Sequence, residues 1–328
     1  MNYSENKKLT TPVVIVVFNR PEKTRLVFEE IRKAEPEKFF IIADGPRNNE
    51  EASKCQEVRN IVEKVDWPCQ VFKNYAEHNL GCKQRFATGL DWLFQNTEEA
   101  IILEDDCLPN QSFFPFCQEL LERFRNNPQI MQISGYNFSA IDKKFHCSDS
   151  YYFSNFSPII GWATWRRAWR LCDLDVKNWP ELKKNNFLAS VIDDPAVANH
   201  YTNLFDRYYA QQIDGWDAQW YLARWLNNGL SVIPSKNLIS NIGFDRDAYH
   251  NAQDPNDIRA KLPLQSINFP LVHPRGIKAN KGAAGFAYKY YTGINQFFGQ
   301  RLRWFIKYHF PIIHRRLKKF RDKFLHKS

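Results

Sequence analysis

The sequence predicts an α/β fold, a mostly parallel sheet flanked by helices, and three observations predict it. Apolar, β-branched runs alternate with stretches of helical period through the first third of the chain. The runs are apolar throughout, as expected of strands covered on both faces. Each run also ends on polar or acidic residues, and in such sheets ligands bind where the strands end.

The elements follow in order. "PVVIVVFN" is a continuous β-branched run ending at Asn19, and "RPEKTRLVFEEIRKA" then opens with a proline suited to a first helical turn. Leu26, Val27, Ile31 and Ala34 fall on one face of that helix. "KFFIIADG" is a second strand, "EEASKCQEVRNIVEKV" a second helix, "CQVFKNY" a third strand, "CKQRFATGLDWLFQN" a third helix and "AIILEDD" a fourth strand. Strands spaced by helices of this length form a parallel sheet, because each crossover must return over a face of the sheet. Arg20, Asp44 and the Glu104–Asp105–Asp106 triplet all stand at strand ends, so they are expected to converge on one edge.

Composition narrows the function classes. With 328 residues, 44% of them hydrophobic, the chain can bury a sizeable core. No uncharged apolar stretch reaches the length of a membrane span, and "MNYSENKKLT" has no apolar signal-peptide core. The expected location is therefore cytoplasmic. Seven cysteines without close C-x-x-C pairs argue for buried thiols over disulfides or a zinc knuckle. The net charge of +9 lies entirely in residues 301–328, which carry ten Lys or Arg and one acid, Asp322. A balanced body excludes a broad nucleic-acid-binding surface.

Three adjacent carboxylates repel one another and raise each other's pKa unless a cation neutralises them, and a hard divalent ion with oxygen ligands serves well. The alternative is that the triplet merely ends a strand or caps the following helix, "CLPNQSFFPFCQELLERF". Glycine-rich phosphate loops are absent, which fits a metal carrying a diphosphate.

The segments "VVIVVFNRPEKTRLVFEEI", "FFIIADGPR", "NLGCKQRFATGLDWLF" and "AIILEDDCLPNQSFFPFCQELL", in this order, resemble the nucleotide-sugar half of Rossmann-like GT-A glycosyltransferases. The nearest likeness is to the N-acetylglucosaminyltransferase I type and its bacterial sugar-transferase relatives. It runs from about residue 11 to 250 and is clearest up to 138. The resemblance implies a Mn²⁺ or Mg²⁺ ion on Asp106 that bridges the phosphates of a nucleotide-sugar donor, by likeness a UDP-sugar. Glu104 and Asp105 would face sugar and ribose, Arg20 the phosphates or ribose, and Asp44 the base. The loop "EHNLGCKQR" supplies His78 and Lys83 near the base. Arg20 as a solvated helix start and Asp44 as a turn residue remain alternatives.

Residues 11–138 are thus read as the nucleotide-sugar half and 139–275 as the acceptor-binding and catalytic half. A linker and basic tail follow over 276–328. The tryptophan-rich stretches "SPIIGWATWRRAW" and "QIDGWDAQWYLARWLNNG" have helical spacings, and core packing is expected for most of their indoles. The second resembles the family's Trp-Asp-Asp-Trp element, which implies Asp217 as catalytic base, with Asp214 as second choice; a helix cap is the alternative for Asp217. His250 closes "NIGFDRDAYH", and the resemblance implies a further metal ligand there, with a structural histidine as the alternative.

Inverting glycosyl transfer to a hydroxyl of a glycan or glycolipid follows from this resemblance. The alternatives are a nucleotidyltransferase of related fold and a catalytically inactive nucleotide-sugar-binding module. In residues 301–328 apolar and basic side chains are interleaved, which predicts an amphipathic surface that holds the chain against the anionic inner face of the cell membrane.

Overall fold

The computed structural model describes residues 8–142, 145–244 and 262–292. The first elements are β1 (Val13–Val17), α1 (Pro21–Ala34), β2 (Lys38–Ala43), α2 (Asn49–Val62), β3 (Gln70–Tyr75), α3 (Cys82–Asn96) and β4 (Glu99–Glu104). They match the sequence reading in type and order. Next come β5 (Cys107–Pro109), α4 (Phe113–Phe124), β6 (Ile130–Ser134), β7 (Tyr151–Ser154), β8 (Trp162–Trp165) and α5 (Arg166–Trp169). The remainder comprises α6 (Trp179–Lys184), α7 (Phe187–Val191), α8 (Pro195–Tyr209), α9 (Asp217–Leu226), β9 (Leu230–Pro234), β10 (Ile239–Asn241) and α10 (Lys281–Tyr291).

One eight-stranded sheet has the order β3-β2-β1-β4-β8-β6-β9-β7. β1 pairs parallel with both β2 and β4, and β2 with β3. β8 runs antiparallel to β4 and β6, and β7 runs antiparallel to β9, which itself lies parallel to β6. Six of the eight strands therefore share one direction, and the fold is a Rossmann-like, mostly parallel sheet flanked by helices. All five residues of β1 are buried although neighbours point to opposite faces, so both faces are covered. The sheet runs without a break from the first four strands into those of the second half of the chain, because β8 is inserted between β4 and β6.

This strand order creates the crevice. β1, β2 and β3 step one way across the sheet, and β4 returns to the far side of β1. The loops that follow β1 and β4 consequently leave in opposite directions, the arrangement that opens a ligand cleft in α/β sheets. The residues at that point are Arg20, Asp105 and Asp106.

Two expectations change. Trp162 and Trp165 lie on strand β8, not on a helix, and β8 pairs antiparallel with both β4 and β6. The residues after the acidic triplet form β5 before any helix begins. β5 pairs with β10 in a separate two-stranded sheet, and α4 starts only after Ser112, so Asp106 caps no helix. The tryptophans do fill the core. Trp162, Trp165, Trp169, Trp216, Trp220 and Trp225 are all buried. Trp162 lies 5.8 Å from Trp216 and 5.5 Å from Trp220, ring centre to ring centre. Trp169 lies 6.2 and 5.8 Å from the same two indoles. All seven cysteines are free thiols.

Candidate functional site

Arg20 is the residue immediately ahead of α1, and Thr24 in the first turn donates its hydroxyl to the Arg20 carbonyl at 2.8 Å. The backbone is thereby fixed and the guanidinium is free to turn toward the end of β4. There it donates to Asp105 Oδ1 at 2.9 Å and to Asp106 Oδ2 at 3.0 Å. Asp105 is 3% exposed and also accepts from the Phe18 amide. Burial pushes the Asp105 carboxyl up to about 7 against the opposing pull of Arg20, and Asp106 raises it further. Burial holds Glu104 well above the usual carboxylate range as well, reinforced by Asp106, Asp105 and Asp217. Burial opposes the charge on Arg20 too, but the pull of Asp105, Asp106 and Glu104 outweighs it and the guanidinium is held above its ordinary value. The chain thus supplies part of the counter-charge that the triplet requires.

The short β5–β10 sheet brings a distant loop over Asp106. Asn241 stands opposite Cys107, and the Ile242 amide donates to the Asp106 carbonyl at 2.9 Å. The Gly243 amide donates to the Asn241 side chain at 2.7 Å, and a Cβ at Gly243 would lie 2.4 Å from Asp106 Oδ2. A larger side chain there would require the Asp106 carboxylate to shift. His250, further along this segment, lies outside the described residues.

Asp44, at the end of β2, is buried and holds the loop that precedes α3. Its Oδ1 accepts from the amides of Gly45 at 2.8 Å and Leu80 at 2.9 Å, and its Oδ2 accepts from Asn79 at 2.9 Å. Burial raises this carboxyl, while those amides and Arg85 pull it down. These contacts tie Asp44 to the loop ahead of α3. Lys83, in the first turn of α3, pairs with Asp175 at 2.8 Å.

Asp217 is the first residue of α9 but caps nothing, since Trp216 occupies the capping position and makes no side-chain cap. It is half-buried and its Oδ1 accepts from the Tyr208 hydroxyl at 3.0 Å. A Cβ at Gly215 would come within 2.7 Å of that hydroxyl, so the approach is close-packed. Asp214 has both oxygens engaged, accepting from the amides of Cys82 and Lys83 at 2.9 Å each. The Cys82 thiol is raised first by burial and then by the charges of Glu104, Asp214, Asp217 and Asp44.

The strand-end residues converge as the alternation implied. Sequence reasoning did not single out Tyr208 or Asn79. Tyr208 has no local signature, because its partner lies on another helix and only the fold joins them. Among the described residues no three His, Cys, Asp or Glu side chains form a group that could hold a metal ion.

No family model matches the chain, and no curated protein does. Several solved structures share part of its architecture at low scores. The 4-diphosphocytidyl-2C-methyl-D-erythritol synthase of Anaerococcus prevotii aligns with a TM-score of 0.30 and 11% identity, over 50% of this chain and 75% of that one. UDP-glucose pyrophosphorylase aligns in its UDP-glucose complex (TM-score 0.25, 11% identity, 44% of this chain and 62% of that one). Its apo form aligns with a TM-score of 0.35 and 9% identity, over 70% of this chain and 93% of that one. Similarity at this level decides neither activity nor substrate.

Proposed function

We propose that the chain is a metal-dependent inverting glycosyltransferase that moves a sugar from a nucleotide-diphosphate donor, by preference a UDP-sugar, to a hydroxyl of a glycan or glycolipid. The observation that carries this reading is the meeting of Arg20 with Asp105 and Asp106 at the β1/β4 switch point.

Arg20, Lys83 and the loop held by Asp44 receive the nucleotide, and Glu104 and Asp105 face ribose and sugar. Asp106 is the residue that would hold a Mn²⁺ or Mg²⁺ ion. Asp106 is half-buried with its Oδ2 paired to Arg20, and a hard cation taking this single carboxylate would complete its shell with substrate phosphates and water. Bound there, the ion offsets charge on the departing diphosphate. A contribution from His250 remains part of the proposal.

Asp217 accepts the proton as the acceptor oxygen forms its bond to the anomeric carbon and the bond from that carbon to the diphosphate oxygen breaks. Attack opposite the leaving group inverts the anomeric centre. The Tyr208 hydroxyl holds one carboxylate oxygen and leaves the other for the acceptor. Asp214, with both oxygens already engaged, is less suited to that work, which favours Asp217 as the base.

We place the chain in the cytoplasm, held peripherally at the inner face of the membrane by residues 301–328, which lie outside the described residues. Among the described residues no helix is long and apolar enough to cross a membrane.

Calorimetry of UDP with and without Mn²⁺ tests the donor reading. Asp106→Ala is expected to abolish Mn²⁺-dependent UDP binding while the circular dichroism of the fold is retained; wild-type affinity in that variant would move the site elsewhere. Asp217→Asn is expected to keep donor affinity and to lose UDP release from UDP-sugars by a factor of at least about 100. Release of pyrophosphate from a nucleoside triphosphate and a sugar phosphate would instead establish the nucleotidyltransferase alternative.

A further inference from the structure

We infer that Asp214 is a positioning residue that sets donor affinity from across the cleft, by holding the loop ahead of α3 in the shape that receives the nucleotide. The inference rests on the reading of this cleft as a nucleotide-sugar site.

The start of α3 has no capping group of its own. Gly81 occupies the capping position with no side chain, and the first helical turn contains no acidic residue. The first amides of a helix nevertheless need acceptors. Here they find them 131 and 132 residues along the chain, where Asp214 Oδ1 accepts from the Lys83 amide and Oδ2 from the Cys82 amide. The fit is tight: Gly81 has φ of 80°, a conformation that suits glycine, and a Cβ there would fall 2.7 Å from Asp214 Oδ2. Cap, glycine and backbone geometry form a single device.

The same loop is held on its other side by Asp44, through the Leu80 amide and the Asn79 side chain. Residues 79–83 therefore hang between two carboxylates, one at the end of β2 and one in the segment that leads into α9. The segment with Asp214 also carries Asp217 three residues later, and Trp216 between them stacks on Phe86 of α3 at 4.4 Å with an interplanar angle of 17°. A displacement of the segment ahead of α9 must be felt at the base of α3, and the reverse holds. Asp214 is itself exposed, so its removal loosens the loop without opening a void in the core.

The test compares the full-length wild type with Asp214→Ala, Asp214→Asn and Gly81→Ala. Hydrogen exchange is followed at the Cys82 and Lys83 amides, and UDP affinity is measured by calorimetry with Mn²⁺. Loss of a cap of this kind is expected to weaken UDP binding about five- to tenfold in Asp214→Ala, with faster exchange confined to the start of α3. Asp214→Asn keeps one carbonyl acceptor and should fall between that variant and wild type. Gly81→Ala perturbs the same loop from the other side and should also weaken binding. Faster exchange with unchanged UDP affinity would overturn the inference, as would unchanged exchange or a loss of protection spread across the whole sheet. Should the wild type bind no nucleoside diphosphate while exchange still responds to Asp214→Ala, the nucleotide-sugar reading has failed. The inference about donor affinity then falls with it, and the persistent local response identifies that cause.

Discussion

At the scale of single residues, the ionic contacts of Arg20 decide how the acidic triplet survives in a folded chain. Three neighbouring carboxylates imply a cation on electrostatic grounds alone, and part of that demand is met by a guanidinium from the loop after β1. Removing one partner of a buried pair leaves an uncompensated charge and costs on the order of 3–5 kcal/mol. Arg20→Ala should accordingly lower the unfolding free energy measured in urea by that much, and adding Asp105→Asn should recover a good part of the loss. A single variant within about 0.5 kcal/mol of wild type would mean that the pair contributes little. A second residue-scale prediction concerns His200 on α8, whose imidazole is held below its ordinary value by burial. The unfolded chain then binds the proton more readily than the folded one. Stability is complete above the unfolded pKa near 6.5 and falls as the pH drops through the folded value. Thermal melts between pH 7.5 and 5 should show this fall, and His200→Gln should flatten it; identical slopes would assign the acid sensitivity to other groups.

At the scale of elements, strands and helices up to β4 were legible because their patterns are local. The apolar run of β1 and the proline at the head of α1 each announce their element within a few residues. β5 and β10 were not legible. Each is three residues long and exists only as half of a pair whose partner lies more than 100 positions away. The site shows the same division. Arg20, Asp44 and Asp106 could be placed at strand ends from the sequence, whereas Tyr208 reaches Asp217 only through the packing of α8 on the start of α9. The β5–β10 pair carries its own prediction. Gly243→Ala would force a methyl group against Asp106, so the Asp106 carboxylate or the loop after β10 must shift. Mn²⁺-dependent UDP affinity should fall at least tenfold, a change of about 1.4 kcal/mol, with little change in melting temperature. Unaltered affinity would show that this loop can move away from Asp106 without consequence for the donor.

At the scale of the whole molecule, charge and structure are partitioned along the chain. Residues 1–300 are neutral in sum and contain the sheet and the cleft, while the full excess of +9 follows them. A chain ending at Gln300 should keep its UDP affinity and remain in the supernatant with anionic liposomes at low salt, where the full chain sediments; equal sedimentation would end the membrane proposal. The tryptophan cluster adds an optical consequence. Trp162, Trp169, Trp216 and Trp220 have ring centres 5.5 to 6.2 Å apart in the four closest pairings, near enough for their electronic transitions to couple. Coupled indoles give paired circular-dichroism bands of opposite sign, whose intensity depends steeply on separation and angle. Because Trp216 immediately precedes Asp217 and stacks on α3, those bands report the relative placement of the two sides of the cleft without any added label.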